Sequence, residues 1–194
     1  MSVLLLCMAW VTPASAAGAP LQYQATEYGY AMVTGCDKSA SGKITVPAKA
    51  TVDGKSYAVK FIGEKAFACE SLTSVTLPAT LATLGTYLFM DSHTLTSARV
   101  ECEEVPGFCF VGTPLQSLTL SNNVKKLGSH MINYTPLHEL TYEGSLDDWA
   151  AVTKGGNWDN NSGQGDPHGL DRVQCLDGYM EYDRENREWT EVRE

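Results

Sequence analysis

Four histidines, six cysteines and a few adjacent carboxylates are the side chains from which this chain would build any acid–base, nucleophilic or metal chemistry. An imidazole titrates near neutral pH and serves as a general base or a metal ligand. The four stand at His93, His130, His138 and His168, without an H-E-x-x-H pair, a G-x-S-x-G elbow or a Cys–His spacing that suggests a nucleophile. The first three fall in turns at unlike positions of a repeat described below, so they read as solvated turn residues. Glu103-Glu104 and Asp147-Asp148 are neighbours in sequence and point apart on any regular element, whereas the two carboxylates of a glycosidase converge across a cleft. Asp159, Asn160, Asn161 and Asp166 carry oxygens that suit calcium, but their spacing is not that of an EF-hand loop. No catalytic residue, metal ligand set or cofactor is predicted, and the chain is read as a non-enzyme.

The N-terminus bears on the cysteines. Val3 to Val11 is almost wholly apolar, Pro13 breaks it, and Ala14-Ser15-Ala16 supplies small residues at cleavage spacing. That is the pattern of a signal peptide cut after Ala16, although Met1-Ser2 adds no positive charge. Nine or so apolar residues are far short of the ~20 a spanning helix needs, and no later run is long enough. Export leaves Cys36, Cys69, Cys102, Cys109 and Cys175, an odd number with no C-x-x-C. A Cys102–Cys109 bridge is one reading; buried free thiols are the preferred one.

Composition narrows the partner. Of 194 residues, 43% are hydrophobic and 19% charged, as in a globular chain. Fourteen Lys+Arg scattered among 23 Asp+Glu give a net charge of −9, so there is no basic stripe for a phosphate backbone. Nucleic acid is excluded. Asn133-Tyr134-Thr135 and Asn160-Asn161-Ser162 match glycosylation acceptors.

The positioning elements emerge from an internal period. Ile62, Leu84, Val105 and Leu127 are spaced 22, 21 and 22 residues apart, and each is followed five residues later by Phe67, Phe89, Phe110 or Ile132. Further columns are Leu72/Leu95/Leu115/Leu137, Val75/Ala98/Leu118/Leu140 and Leu77/Val100/Leu120/Tyr142. The unit reads I-G-x-x-x-F, a turn, then L-x-x-V-x-L. Its last two apolar residues alternate as one face of a strand does. One unit cannot enclose its own apolar face, so neighbours must stack, with successive strands parallel. Gly63, Gly85 and Gly128 fit positions of positive φ or close coil packing. Pro106 takes that place in the third copy, which also begins early, so a kink or irregular coil is expected around Glu101-Cys102-Glu103-Glu104.

The run Ile62-Gly63-Glu64-Lys65-Ala66-Phe67-Ala68-Cys69-Glu70-Ser71-Leu72-Thr73-Ser74-Val75-Thr76-Leu77-Pro78 resembles the repeat of BspA-like leucine-rich repeat proteins, and the resemblance covers Val33 to Gly144. It implies a cell-surface or secreted protein of a family several of whose members bind host matrix proteins or mediate adhesion. The family has no catalytic motif. The expected fold is a β-rich solenoid of about four BspA-type leucine-rich repeats of 20–23 residues on a parallel sheet, with an N-terminal β cap and an α+β C-terminal cap.

The flanks complete the plan. Ile44-Thr45-Val46 and Tyr57-Ala58-Val59 flank Asp53-Gly54, a hairpin dipeptide. Ser145 heads a helix whose Trp149 and Val152 cover the last coil, and 154–169 reads as a mobile loop. Val173–Leu176 and Tyr179–Tyr182 form a second hairpin around Asp177-Gly178, with Glu188–Val192 as a further strand. The expected division is 1–16 signal peptide, 17–58 cap, 59–145 solenoid and 146–194 C-terminal cap, loop and hairpin.

Alternation then places a candidate binding face. With Val75 and Leu77 inward, Ser74 and Thr76 point outward, as do Ser97, Arg99, Ser117, Thr119, Glu139 and Thr141. The expected partner is a protein, of host matrix or cell-surface type. The alternative is a structural or carbohydrate-binding accessory module using Trp158 and Trp189.

Overall fold

The computed structural model describes residues 21–37, 40–160 and 169–194. The leader residues 1–16, His168, Asn161 and Asp166 lie outside them. Five strands come first: β1 (Leu21–Ala25), β2 (Ala31–Cys36), β3 (Ser41–Thr45), β4 (Lys49–Val52) and β5 (Lys55–Ile62). The repeats follow as β6 (Ser71–Leu77), β7 (Thr83–Leu84), β8 (Ser97–Val100), β9 (Glu104–Val105), β10 (Ser117–Ser121), β11 (Lys126–Leu127) and β12 (Glu139–Glu143). The chain ends with α1 (Leu146–Ala151), β13 (Thr153–Lys154), β14 (Arg172–Cys175), β15 (Gly178–Asp183) and β16 (Glu188–Arg193).

The V-x-L end of each unit lies in a strand because its two apolar residues alternate onto one face. In β6 the buried residues are Leu72, Val75 and Leu77. The register carries that column across the stack, from Val75 to Ala98, Leu118, Leu140 and Val173. On the far side Ile44 of β3 pairs with Val75. The wide sheet therefore has the order β16-β15-β14-β12-β10-β8-β6-β3. The expected parallel sheet is thus mixed: β3 through β14 run parallel, and β15 and β16 add antiparallel. The antiparallel edge follows from Asp177-Gly178, whose tight turn returns the chain beside β14.

A second, narrow ladder carries the other column. Strand β2 pairs with β5, and β5 with β7, while β9 pairs with β11, and β11 with β13. Between the ladders, Phe67, Phe89 and Phe110 stack with centroids 5.1 Å apart at each step, all three fully buried.

The glycines serve close packing, not positive φ. A Cβ on Gly128 would lie 2.1 Å from the Gly107 nitrogen, and one on Gly85 would lie 2.5 Å from the Glu64 nitrogen. Their amides donate to the coil before, Gly85 to Ile62 and Gly128 to Val105, each at 2.8 Å. Positive φ falls two residues later, on Lys65, Tyr87, Phe108, His130 and Asn157. The last of these corrects the predicted loop at 154–169: its first part is one more copy of the turn, with Gly155 donating to Leu127 at 2.8 Å.

The turn at Asp53-Gly54 is as expected, but its first arm is β4, whereas Ile44 and Thr45 of the expected arm lie in β3 and pair parallel with β6. Asp53 and Gly54 have φ of 50° and 76° and join β4 to β5 antiparallel. Ser145 caps α1 in a capping box with Asp148, and Trp149 and Val152 are buried. The cysteines need a correction. Cys102, Cys109 and Cys175 are buried free thiols, but Cys36 and Cys69 are joined in a disulfide.

Candidate interaction surface

The outer face of the wide sheet is built by pairing. One row runs Thr45, Thr76, Arg99, Thr119, Thr141 and Gln174; the next contains Lys43, Ser74, Ser97 and Ser117. Glu139 pairs with Arg172 further along. None of the eight predicted face residues is buried: Ser117, Glu139 and Thr141 are exposed, while Ser74, Thr76, Ser97, Arg99 and Thr119 are half-buried by their neighbours.

Arg99 has intramolecular partners. Its Nη1 and Nη2 donate to the two oxygens of Glu143, each at 2.7 Å, and its Nε donates to Glu101 at 2.7 Å. The side chain reaches from β8 across to β12, so it clamps the face. Hydrogen bonding by the Arg99 guanidinium lowers the pKa of the Glu143 carboxyl below its ordinary 4.5. Arg99→Gln is expected to reduce stability near neutral pH by about 1 kcal/mol or less, because both side chains are over a third exposed (37% and 40%). A lowered folded pKa contributes stability above the unfolded pKa and loses it as pH falls through the folded value. The gap between wild type and variant in urea melts is therefore expected to be full above pH 4.5 and to close in more acid solution. A gap unchanged down to acid unfolding would refute this account.

The other candidates are dispersed. His93 is exposed, His130 stacks on Phe108 at 5.3 Å, and His138 pairs with Asp171 at 3.1 Å. His130 closes a ring column with Phe108 and Tyr87, whose centroids lie 5.0 Å apart. Sequence reasoning missed this column because its members differ in type; the usable signal was their shared place two residues after the coil glycine, or Pro106. Lys126 pairs with Glu104, and Asp148 caps α1. Among the described residues no three His, Cys, Asp or Glu side chains form a metal-binding group. Burial raises the Cys102 and Cys175 thiols to about 11 and Cys109 well above its ordinary value, which suppresses thiolate at neutral pH. Asn133 is half-buried with its Nδ2 3.2 Å from His130 Nδ1, and the hydroxyl of Thr135 is buried, donating to Ile132. That acceptor sequence is thus engaged within the fold.

The two tryptophans do not form an open platform. Trp158 is only 8% exposed and lies between Trp149 and Trp189, with centroids 5.5 and 5.9 Å away. Half-buried Trp189 donates its Nε1 proton to Asp159 at 2.9 Å. Trp158 is in the core because Val152 and Trp149 need cover at the end of the stack.

The profile of BspA type leucine-rich repeat regions matches residues 54–151 in six copies. No curated protein matches the chain. Among solved structures, a leucine-rich repeat protein from Bacteroides capillosus ATCC 29799 is 25% identical, with a TM-score of 0.57 over 65% of this chain and 96% of its own. A leucine rich cell surface protein from Faecalibacterium prausnitzii A2-165 is 15% identical, with a TM-score of 0.44, covering 94% of this chain and 62% of its own. A T. pallidum leucine-rich repeat protein is 18% identical, with a TM-score of 0.46 and coverage of 71% and 79%. With its repeat columns, its stacked strands and a profile match over half its length, the chain belongs to the BspA-type leucine-rich repeat family.

Proposed function

We propose that the chain is an exported repeat module, a solenoid closed at both ends, that binds a protein partner through the outer face of its wide sheet and performs no catalysis. The observation that carries this reading is the continuity of the face. Hydroxyl side chains fill most of two rows across the repeat strands, Thr45, Thr76, Thr119 and Thr141 in one and Ser74, Ser97 and Ser117 in the other, with Arg99 and Lys43 among them. Short side chains lose little rotamer entropy on contact, and a sheet built from a repeat stack offers an extended docking plane. A location outside the cytoplasm is supported by the leader pattern of Val3–Ala16 and by the Cys36–Cys69 bond, which needs an oxidising compartment. A host matrix or cell-surface protein is the partner class that the family resemblance suggests. Residues 17–58 and 146–194 act in this reading as end caps, shielding the apolar core of the terminal coils.

The test is capture of purified host matrix proteins by residues 17–194. A triple variant, Ser117→Glu, Thr119→Lys and Thr141→Lys, alters the face and spares Arg99 and its clamp. Capture is expected to weaken about thirtyfold, the size of one lost hot spot, with an unchanged melting curve. Full capture by the folded triple variant, or no capture by the wild type, would overturn the proposal. Loss on Trp189→Ala alone would move the site to the C-terminal end.

A further inference from the structure

The wide ladder of the stack is continuous and the narrow one is not. No pairing joins β7 to β9 among the described strands. Pro106 stands at the break, in a copy that begins one residue early. In every neighbouring coil the equivalent residue is a glycine whose N–H donates to the coil before: Gly63 to Val33, Gly85 to Ile62, Gly128 to Val105 and Gly155 to Leu127, each at 2.8 Å. Proline has no N–H to give. It also brings a Cβ to a place where, on Gly85, Gly128 or Gly155, a Cβ would come within 2.1–2.5 Å of the preceding coil's backbone. Pro106 therefore cannot make the bond that the glycines make, and β7 and β9 lie side by side unpaired.

A cavity of about 130 Å³ lies at this break, lined by Ala82, Thr83, Leu84, Cys102, Glu104 and Pro106. Leu84 is half-buried, whereas Ile62, Val105 and Leu127 in the same column are buried. On the other side of the stack β6, β8 and β10 remain paired, and the Phe89 amide still donates to the Cys109 carbonyl at 3.2 Å. The coils are thus held on one side and along the core, and loosened on the other.

We propose that the break is a bending joint: the second and third repeat copies part along the narrow ladder, about the intact wide sheet. Opening of this kind uncovers Cys102, which is 3% exposed in the closed form and lines the cavity. Cys109 is fully buried, and Cys175 lies on β14 beyond the joint. The three thiols therefore report on different parts of the molecule. The joint gives the wide sheet adjustable curvature whether or not that sheet is the docking face.

The experiment is thiol labelling of the folded, unreduced protein, with each cysteine followed by peptide mass spectrometry at rising sub-denaturing urea. Local opening depends weakly on denaturant and global unfolding strongly. Labelling of Cys102 is expected to show the weak dependence, and labelling of Cys109 the strong one. Pro106→Gly restores the N–H and removes the Cβ, so it is expected to slow Cys102 about five- to tenfold, the worth of one hydrogen bond, and leave Cys109 and Cys175 unchanged. Pro106→Ala restores the N–H but keeps the Cβ, so the rate at Cys102 is expected to stay near that of wild type. Comparing the same thiol across variants cancels its raised pKa. Equal urea dependence at Cys102 and Cys109 in the wild type would overturn the joint. So would a Pro106→Gly protein that labels at Cys102 as fast as wild type.

Discussion

Phe89→Ala is expected to lower the unfolding free energy by about 3–5 kcal/mol, the range for truncating a fully buried aromatic ring. Phe89 is 0% exposed and is the middle ring of three, with Phe67 and Phe110 each 5.1 Å away and interplanar angles of 18° and 2°. Removing it opens a void that neither neighbour can fill. The backbone of each is tied to the following coil by the bonds from Phe67 N to Leu88 O and from Phe110 N to Met131 O. The third of these bonds, from the Phe89 amide to the Cys109 carbonyl, survives the substitution because it is made by backbone. The coil should therefore keep its path, and the loss should appear in the urea midpoint with little change in slope. Leu176→Ala is the comparison: Leu176 is 77% exposed, and its loss should lie within about 0.5 kcal/mol. A Phe89→Ala loss no larger than that of Leu176→Ala would mean that the ring column does not carry the core.

The parts of the fold that were legible in the sequence were those set by local chemistry repeated in register. Apart from half-buried Leu84, the columns headed by Ile62, Phe67, Leu72, Val75 and Leu77 appear as buried residues in successive coils because each coil solves the same packing problem. Ser145 and Asp53-Gly54 were legible because caps and tight turns depend on a few adjacent residues. The shift of Pro106 and the shortened third copy announced the irregularity at 101–104, which the structure places at the break between β7 and β9. What escaped has a different origin. Strands β3 and β14 join the repeat sheet although their sequences, Ser-Gly-Lys-Ile-Thr and Arg-Val-Gln-Cys, keep only one or two of its apolar positions. Edge positions tolerate this, since one neighbour supplies the register. The Arg99–Glu143 pair spans 44 residues, two repeat lengths, and the alternation that aimed Arg99 outward did not search for an acid that far along. Pairing of Cys36 with Cys69 was hidden by the odd number of cysteines, which made free thiols seem sufficient.

That disulfide carries the other large prediction. Cys36 ends β2, Cys69 lies in the turn before β6, and the bond closes a loop with a sequence separation of 33. Loop-closure entropy for that length corresponds to about 3–4 kcal/mol at room temperature. For a chain of this size such a loss lowers the melting temperature by about 6–16 °C. The bond ties the end of β2 to the first repeat turn, so its loss falls on the N-terminal strands, where β2 otherwise meets the stack through its short pairing with β5. Cys36→Ser is expected to melt lower by that amount and to become insensitive to reductant, and wild type in reductant should match it. Denatured, unreduced protein spanning residues 17–194 should titrate three thiols: Cys102, Cys109 and Cys175. A count of five, or a reductant-insensitive wild type, would remove the bond from the account and with it one support for export. A count of three joined to the melting shift would tie folding to an oxidising compartment, because the same chain made where thiols stay reduced would lose a large share of a stability that is typically only about 5–15 kcal/mol.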